Sequence, residues 1–275
     1  MIVLLKRVQR AVSGDEFMLL LFSGFVTAYA WYRWYTAALV RTLVARNTSR
    51  LIYITGPIVC LTLLYLVLRQ WSADDVRNSE VYLTLYMLAG AAWVGLGAHL
   101  FKFLAVSPRD DAVERQNLAA AFATAGALAG ITFCFAGANI GNGPGWWVVI
   151  FSAALSTGVF FLLWALVEKF TGVSESVTVE RNGGSGLRLG GFLVGAGLIL
   201  GRAVAGDWVS AEATIRDFAL VVWPVLPLTW AAAIIERISP LDASAPAEGT
   251  PAAWFIASLF VAVPCFYVFV WQGMP

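Results

Sequence analysis

The residues of this sequence that could do chemistry are a few ionisable side chains inside long apolar stretches. His99 and Lys102 are three residues apart, so a helix would carry both on one face. Ionisable groups within a membrane are costly and often belong to proton or ion pathways, so this pair could act as a proton or anion relay. The alternative is a packing histidine beside a lysine that extends to the headgroups.

A second candidate pair, Arg202 and Asp207, lies at the end of a later apolar stretch. The two could form an ion pair, or the arginine could line a polar path through the membrane. The alternative is an arginine that extends its charged head to the interface. We therefore take His99, Lys102, Arg202 and Asp207 as a candidate polar path.

The sequence lacks the motifs of common enzyme active sites. Its single histidine excludes a multi-histidine metal site or a haem ligand pair within one chain. Walker, G-x-S-x-G and H-E-x-x-H motifs are absent. Cys60, Cys134 and Cys265 stand singly in apolar stretches, without metal-ligand or disulfide spacing. We predict a non-enzymatic protein with no catalytic residue, no metal and no cofactor.

The composition indicates that lipid is the solvent for most of this chain. Of its 275 residues 60% are hydrophobic and 13% charged, and the mean hydropathy is +0.76, whereas soluble domains carry about 25% charged residues. The apolar residues form blocks of about 18–25, the length of a membrane-spanning helix. We predict an all-α polytopic transmembrane bundle of about eight spans. These are 17–35, 51–68, 81–106, 118–138, 146–167, 187–205, 218–235 and 252–271.

The spans divide the chain into an N-terminal segment and four helix pairs. Residues 1–16 are predicted to lie at the membrane surface, and 17–275 to form the bundle. The predicted pairs are 17–70, 81–138, 146–206 and 217–272. Pro224, Pro227 and Pro264 should kink the last two spans, because proline removes a backbone hydrogen bond.

Lysine and arginine concentrate in the connections that follow odd-numbered spans. The positive-inside rule therefore places these connections in the cytoplasm and both termini outside. Lys6, Arg7 and Arg10 oppose this orientation. The formal net charge is +1, without a basic domain, so we expect no nucleic-acid partner.

An internal repeat is indicated by two similar segments, 113–117 (Val-Glu-Arg-Gln-Asn) and 179–183 (Val-Glu-Arg-Asn-Gly), each before a glycine-rich span. A shift of 65 residues places Gly126 on Gly191 and Gly130 on Gly195, although the charged motif itself needs a shift of 66. Units of two spans keep one orientation, so the predicted repeats are parallel.

Pairs of glycines four residues apart lie on one helix face and let another backbone approach closely. Such pairs are predicted helix-packing residues, either within the chain or between subunits. They are Gly126 with Gly130, Gly191 with Gly195, and Gly197 with Gly201.

The stretch from Glu114 through Asn117 and Gly126 to Gly130 resembles a motif of the YjfL-like family of small bacterial inner-membrane proteins, a domain of unknown function numbered 350 in its series. The resemblance covers about 81–205. At 182–190 the second copy departs from the Asn-x-Ala-Ala pattern. The resemblance implies a bacterial inner membrane and four-span building blocks, and it supplies no catalytic residue.

Two functions from different classes follow. One is a scaffold or accessory subunit of a membrane assembly, a homo-oligomer or part of a larger complex, that packs through glycine seams in the lipid bilayer. The other is a small-solute or ion permeation protein, linked to cations or polyamines. Acidic residues lie at the ends of the predicted spans rather than deep inside them, which favours the first.

Overall fold

A computed structural model describes residues 13–39, 48–239 and 247–273. These residues contain no β-strand, so the predicted all-α class is confirmed. The α-helices are α1 (Gly14–Leu39), α2 (Thr48–Trp71), α3 (Asp74–Arg77), α4 (Glu80–Leu100), α5 (Leu118–Gly137), α6 (Trp146–Thr171), α7 (Val173–Thr178), α8 (Gly183–Val204), α9 (Ala211–Val221), α10 (Val225–Ile238) and α11 (Pro251–Phe266). A 3₁₀ turn follows α4 (Phe101–Leu104), and π-helical turns lie at Pro108–Glu114 and Tyr267–Trp271.

Six helices of the described chain are long and apolar enough to cross a membrane: α2, α4, α5, α6, α8 and α11. Helices α9 and α10 make a seventh if the bent pair counts as one span. Eight spans were predicted. The remaining one corresponds to α1, which has 26 residues but is rich in tyrosine and tryptophan and carries Arg33 near its end.

The predicted seventh span, 218–235, is not one continuous helix. Helix α9 ends at Val221, α10 begins at Val225, and the two axes differ by 48°. The predicted kink at Pro224 is therefore present, since this residue lies in the break and precedes the first turn of α10. The predicted sixth span also began too late, because α8 starts at Gly183 rather than at residue 187.

Polar caps set where several helices begin. The Asn117 side chain accepts a hydrogen bond from the Ala120 N–H, and Asn182 accepts one from Ser185 in the same way. In each case the preceding residue, Gln116 or Arg181, has a positive φ. A third copy of this arrangement starts α11, where a positive-φ glycine precedes a threonine cap.

The helices lie in two rows. Helices α2, α5, α8 and α11 follow one another in an inner row, in which α5 and α8 make the most extensive contact in the described bundle. Helices α1, α4, α6 and α10 form an outer row that packs on one side of it. Outer-row neighbours are joined by side-chain hydrogen bonds: the Trp31 indole donates to the Ala91 carbonyl at 3.1 Å, and the Trp93 indole donates to the Thr157 hydroxyl at 3.1 Å.

The two ends of the bundle differ in charge. At the end that holds residues 101–117 and 172–182, which we call the basic end, the Asn117 amide donates to the Val177 carbonyl at 2.7 Å. At the other end, which we call the acidic end, the Gly206 amide donates to the Ile140 carbonyl at 2.9 Å. Cations described at the basic end are Arg33, Arg50, Lys102, Arg109, Arg115, Lys169, Arg181, Arg188 and Arg237. The acids described at this end are Asp110, Asp111, Glu114, Glu168, Glu175, Glu180, Glu236 and Glu248. Acids at the acidic end are Asp15, Glu16, Asp74, Asp75, Glu80, Asp207, Glu212 and Asp217.

Most of the N-terminal segment predicted to lie on the membrane surface, residues 1–12, is outside the described residues. So are Arg41 and Arg46, which contributed to the predicted orientation.

Candidate functional site

A cavity of about 240 Å³ opens at the basic end, between α1, α4 and the π-helical turn that follows α4. Its inner wall is a tightly joined pair, Trp34 and Tyr53, whose rings stack with centroids 4.1 Å apart. The Trp34 indole donates to the Tyr53 carbonyl, and the Tyr53 hydroxyl donates back to the Trp34 carbonyl. This reciprocal pair holds α1 against α2 and gives the cavity a rigid aromatic wall.

Cations predominate among the charged residues of this cavity. Arg33, Lys102 and Arg109 line it together with His99, and Asp110 is the acidic residue among them. Arg109 forms an ion pair with Glu114 at 3.0 Å, which leaves Arg33 and Lys102 paired with aromatic rings rather than with carboxylates among the described residues. Such a cavity suits an anionic group more than a cation.

His99 is positioned by its own helix. Its Nδ1 lies 2.7 Å from the carbonyl oxygen of Gly95, one turn earlier in α4. A carbonyl only accepts, so the neutral ring carries its proton on Nδ1 and keeps Nε2 free to accept. Lys102 lies with its Nζ 5.2 Å from the centre of the Phe103 ring. Both predicted residues therefore line one cavity.

Arg202 and Asp207 lie at the acidic end and do not pair with each other. The Asp207 carboxylate accepts hydrogen bonds from the Asn142 amide N–H at 2.7 Å and from its side-chain nitrogen at 3.1 Å. The Arg202 guanidinium makes one long bond of 3.5 Å to the Gln272 carbonyl, and its Nε is buried without a hydrogen-bond partner. The Arg202–Asp207 ion pair, one of the alternatives that the sequence left open, is not formed, because Asp207 instead joins the loop after α8 to the loop after α5.

A second cavity, of about 270 Å³, lies at the acidic end beneath the glycine-rich loop 139–145. Glu16 and Asp75 line it with Tyr82 and Tyr86, and the Tyr82 hydroxyl donates to Glu16 at 3.2 Å. Carboxylates and aromatic rings suit a cation. This cavity was not predicted, because its residues come from α1, α3, α4 and a distant loop, and no local motif links them.

The structure does not bring the four predicted polar-path residues together. His99 lies at the basic end of α4, and Arg202 lies at the acidic end of α8. Between the two ends the interior is filled by large side chains with less than 2% exposure, among them Phe135, Phe160 and Trp164. In the described part of the chain the two cavities are therefore separate.

The structure contains a buried ion pair at the basic end that the sequence did not predict. Arg188 of α8 donates from Nε to Glu236 of α10 at 2.8 Å, and their side chains are 11% and 8% exposed. The Ser185 hydroxyl also donates to Glu236, and an Arg188 NH2 group lies 3.1 Å from that hydroxyl. Charges removed from water are retained only with such complete pairing. The partners are 48 residues apart, so sequence spacing gave no signal.

The predicted packing glycines all lie on contacts within the chain. Gly126, Gly130, Gly197 and Gly201 lie between α5 and α8, where an added Cβ would overlap backbone atoms of the facing helix. Gly191 and Gly195 instead face α11, at Ala257 and Phe260. Three further glycines also lie in close contact with backbone atoms across the α5–α8 interface: Gly137, Gly186 and Gly190.

These helices define the class of the chain as a multi-pass helical membrane protein. Comparison with protein-family models gave no match, and neither the curated proteins nor the solved structures gave one. The resemblance to the YjfL-like family accordingly stays a prediction. Groups of three or more histidine, cysteine, aspartate or glutamate side chains placed to hold a metal do not occur among the described residues.

Proposed function

We propose that this chain is a non-enzymatic scaffold or accessory subunit of an assembly in a bacterial inner membrane. The observation that carries this proposal is the packed interior between the two end cavities, where Phe135, Phe160, Trp164 and Phe192 fill the space between the helix rows. Selectivity filters are built from rings of backbone carbonyls or charged side chains. A packed apolar bundle instead offers its outer surfaces to partner proteins or to other copies of the chain.

Four parallel helix-pair units are part of the proposal, with α1 as the eighth span. Three glycines, each nine residues after an asparagine in the sequence, support the repeat. Gly56 faces α5, Gly126 faces α8 and Gly191 faces α11, so each contacts the inner helix of the next unit. The backbone before α5 and α8 also matches at a shift of 65 residues. The backbone N–H of Asn117 donates a hydrogen bond to the Asp111 carbonyl, and the backbone N–H of Asn182 donates one to the Ser176 carbonyl. This shift is the one that aligns the glycines.

The proposed orientation places the basic end in the cytoplasm. Nine cations lie among its described residues, against four at the acidic end: Arg69, Arg77, Arg202 and Arg216. An even number of spans would then place both termini on the outer side. The YjfL-like resemblance supports the bacterial inner membrane as the location.

A flux assay separates the scaffold from the permeation protein. The purified chain, reconstituted into liposomes, should take up rubidium and spermidine no faster than protein-free liposomes. Extraction in a mild detergent at native expression level should give particles heavier than the 29.7 kDa chain with its detergent belt. Uptake that depends on the protein and falls in His99→Ala would contradict the scaffold.

The alternative function, permeation of a cation or polyamine, has one observation in its favour. Glu16 and Asp75 line the cavity at the acidic end, so carboxylates are present where an external cation would first bind. If this cavity is an entrance, Glu16→Gln and Asp75→Asn should each reduce spermidine uptake. Asp217→Asn at the same end, whose side chain is 65% exposed and outside the cavity, is the matched control.

A further inference from the structure

The open face of the inner helix row carries a groove whose floor is one stripe of α8. Residues Leu187, Gly191, Val194, Leu198 and Arg202 recur every three to four positions and all line it. The stripe runs from Leu187 to Arg202, a rise of about 22 Å at 1.5 Å per residue, which is most of the roughly 30 Å hydrocarbon core of a bilayer. Its glycines let α5 and α11 pack closely on both sides of α8, so α8 is recessed between them.

The groove consists of two apolar cavities that follow each other along the α8 stripe, one reaching Val194 and the next beginning at Leu198. Its wider part, about 530 Å³, lies between α5 and α11 and is lined by Phe122, Val194 and Trp254 among others. At the basic end the Phe122 and Trp254 rings meet edge to face with centroids 5.6 Å apart. At the acidic end lies a narrower part of about 80 Å³, and Arg202 is the one charged residue that lines it among the described residues.

The charged side chain of Arg202 lies at the acidic end of an otherwise apolar groove. The other residues that line this part are apolar or glycine, including Phe133, Leu198 and Phe269. No carboxylate of the described residues forms an ion pair with Arg202, and its Nε is buried without a hydrogen-bond partner. Arg202 therefore offers a positive charge and free hydrogen-bond donors at the acidic end of an apolar groove. This arrangement is complementary to a molecule with an anionic head and a hydrocarbon tail.

We infer that this groove binds one phospholipid from the leaflet at the acidic end, with its phosphate on Arg202 and an acyl chain along the α8 stripe. A helix from a second copy fits less well. A helix with its side chains is about 10–12 Å across, whereas Phe122 and Trp254 touch across the groove. An acyl chain can lie in the space that remains. The site would bind lipid whether the chain acts as a scaffold or as a permeation protein.

Lipid binding to the full chain in detergent, followed by native mass spectrometry, tests the site. Dioleoyl phosphatidylglycerol should give one tight adduct. Dioleoylglycerol, which has the same chains without phosphate, and glycerol phosphate, which has no chains, should each bind at least about tenfold more weakly, since each lacks half of the recognition. Equal binding of phosphatidylglycerol and dioleoylglycerol would overturn the assignment of Arg202.

Two variants address the two parts of the site. Arg202→Ala should weaken phosphatidylglycerol binding about tenfold or more and leave dioleoylglycerol binding unchanged. Ser258→Trp, which places a bulky ring in the wider part of the groove, should weaken both. Arg216→Ala removes an exposed cation at the same end but outside the groove and should change neither. If Ser258→Trp elutes and melts like the wild type yet binds both lipids normally, the groove is not the site.

Discussion

Replacing Gly126 by alanine should force α5 away from α8. A methyl group on Gly126 would lie 2.7 Å from the carbonyl carbon of Gly190 and closer still to its oxygen. Non-bonded carbon atoms normally lie about 3.5–4.0 Å apart. The obstacle is backbone inside a buried helix, which cannot rotate away as a side chain can. The overlap must therefore be relieved by moving one helix against the other.

Gly158 provides a matched control for the size of this effect. It lies within α6, and an added Cβ there would meet no atom within 4 Å. Alanine is favoured over glycine inside a helix by about 0.5–1 kcal/mol, and this gain applies at both sites. Overpacking of a well-packed interior costs about 1–3 kcal/mol. Because the helix gain cancels, Gly126→Ala should be less stable than Gly158→Ala by about 1–3 kcal/mol.

Unfolding of both variants in mixed micelles, with increasing sodium dodecyl sulfate and far-UV circular dichroism as the readout, measures this difference. Gly126→Ser should behave like Gly126→Ala, since serine also adds a Cβ. Gly158→Ala should match or exceed the wild type in its unfolding midpoint. Equal midpoints for Gly126→Ala and Gly158→Ala would show that α5 and α8 do not approach as closely as the structure has them.

Three further predictions follow from other contacts. Arg188→Ala should destabilise the bundle by about 3–5 kcal/mol in the same assay, because it leaves the Glu236 carboxylate buried and unpaired, whereas Arg188→Met with Glu236→Leu should recover most of that loss. Asn117→Ala should cost about 1–3 kcal/mol, because it removes both the cap of α5 and the hydrogen bond to the Val177 carbonyl. In intact spheroplasts of a cysteine-free background, a membrane-impermeant maleimide should label Glu212→Cys but not Glu175→Cys, and the reverse pattern would invert the proposed orientation.

Uniformly apolar stretches were predictable, because membrane-spanning helices need little more than length and low polarity. Three predicted spans, 81–106, 118–138 and 146–167, agree with α4, α5 and α6 to within a few residues. The boundaries of the other spans were predicted less well where glycine, serine or proline residues interrupt the apolar pattern.

Two boundaries show those reasons. Residues 183–186 are glycine and serine and resembled a loop, yet they form the first turn of α8 because Asn182 caps it and Glu236 accepts a hydrogen bond from the buried Ser185. Within 218–235 the apolar pattern continues across a break in the helix. Hydropathy indicates the solvent around a segment and not the path of its backbone, so the bend was signalled by the prolines, of which Pro224 lies in the break.

The candidate sites were less predictable than the spans, because they depend on tertiary contacts. His99 and Lys102 share a cavity, but its other cations come from α1 and from the turn after α4. Arg202 and Asp207 are close in sequence, yet the backbone of the loop after α8 directs Asp207 to Asn142. Proximity along a helix predicts a shared face. It does not predict which neighbour a side chain meets once the helix has ended.

The glycines of α8 constrain how this chain could form oligomers. Gly190, Gly197 and Gly201 face α5, whereas Gly191 and Gly195 face α11, so the two sets divide the helix between two neighbours of the same chain. A glycine already in contact with backbone inside one chain cannot also admit a helix from another. These glycine pairs therefore account for packing between helices of one chain, and a contact between copies would need other surfaces. The large side chains exposed along α1 and α11, such as Phe25 and Phe255, are where such a contact should be sought.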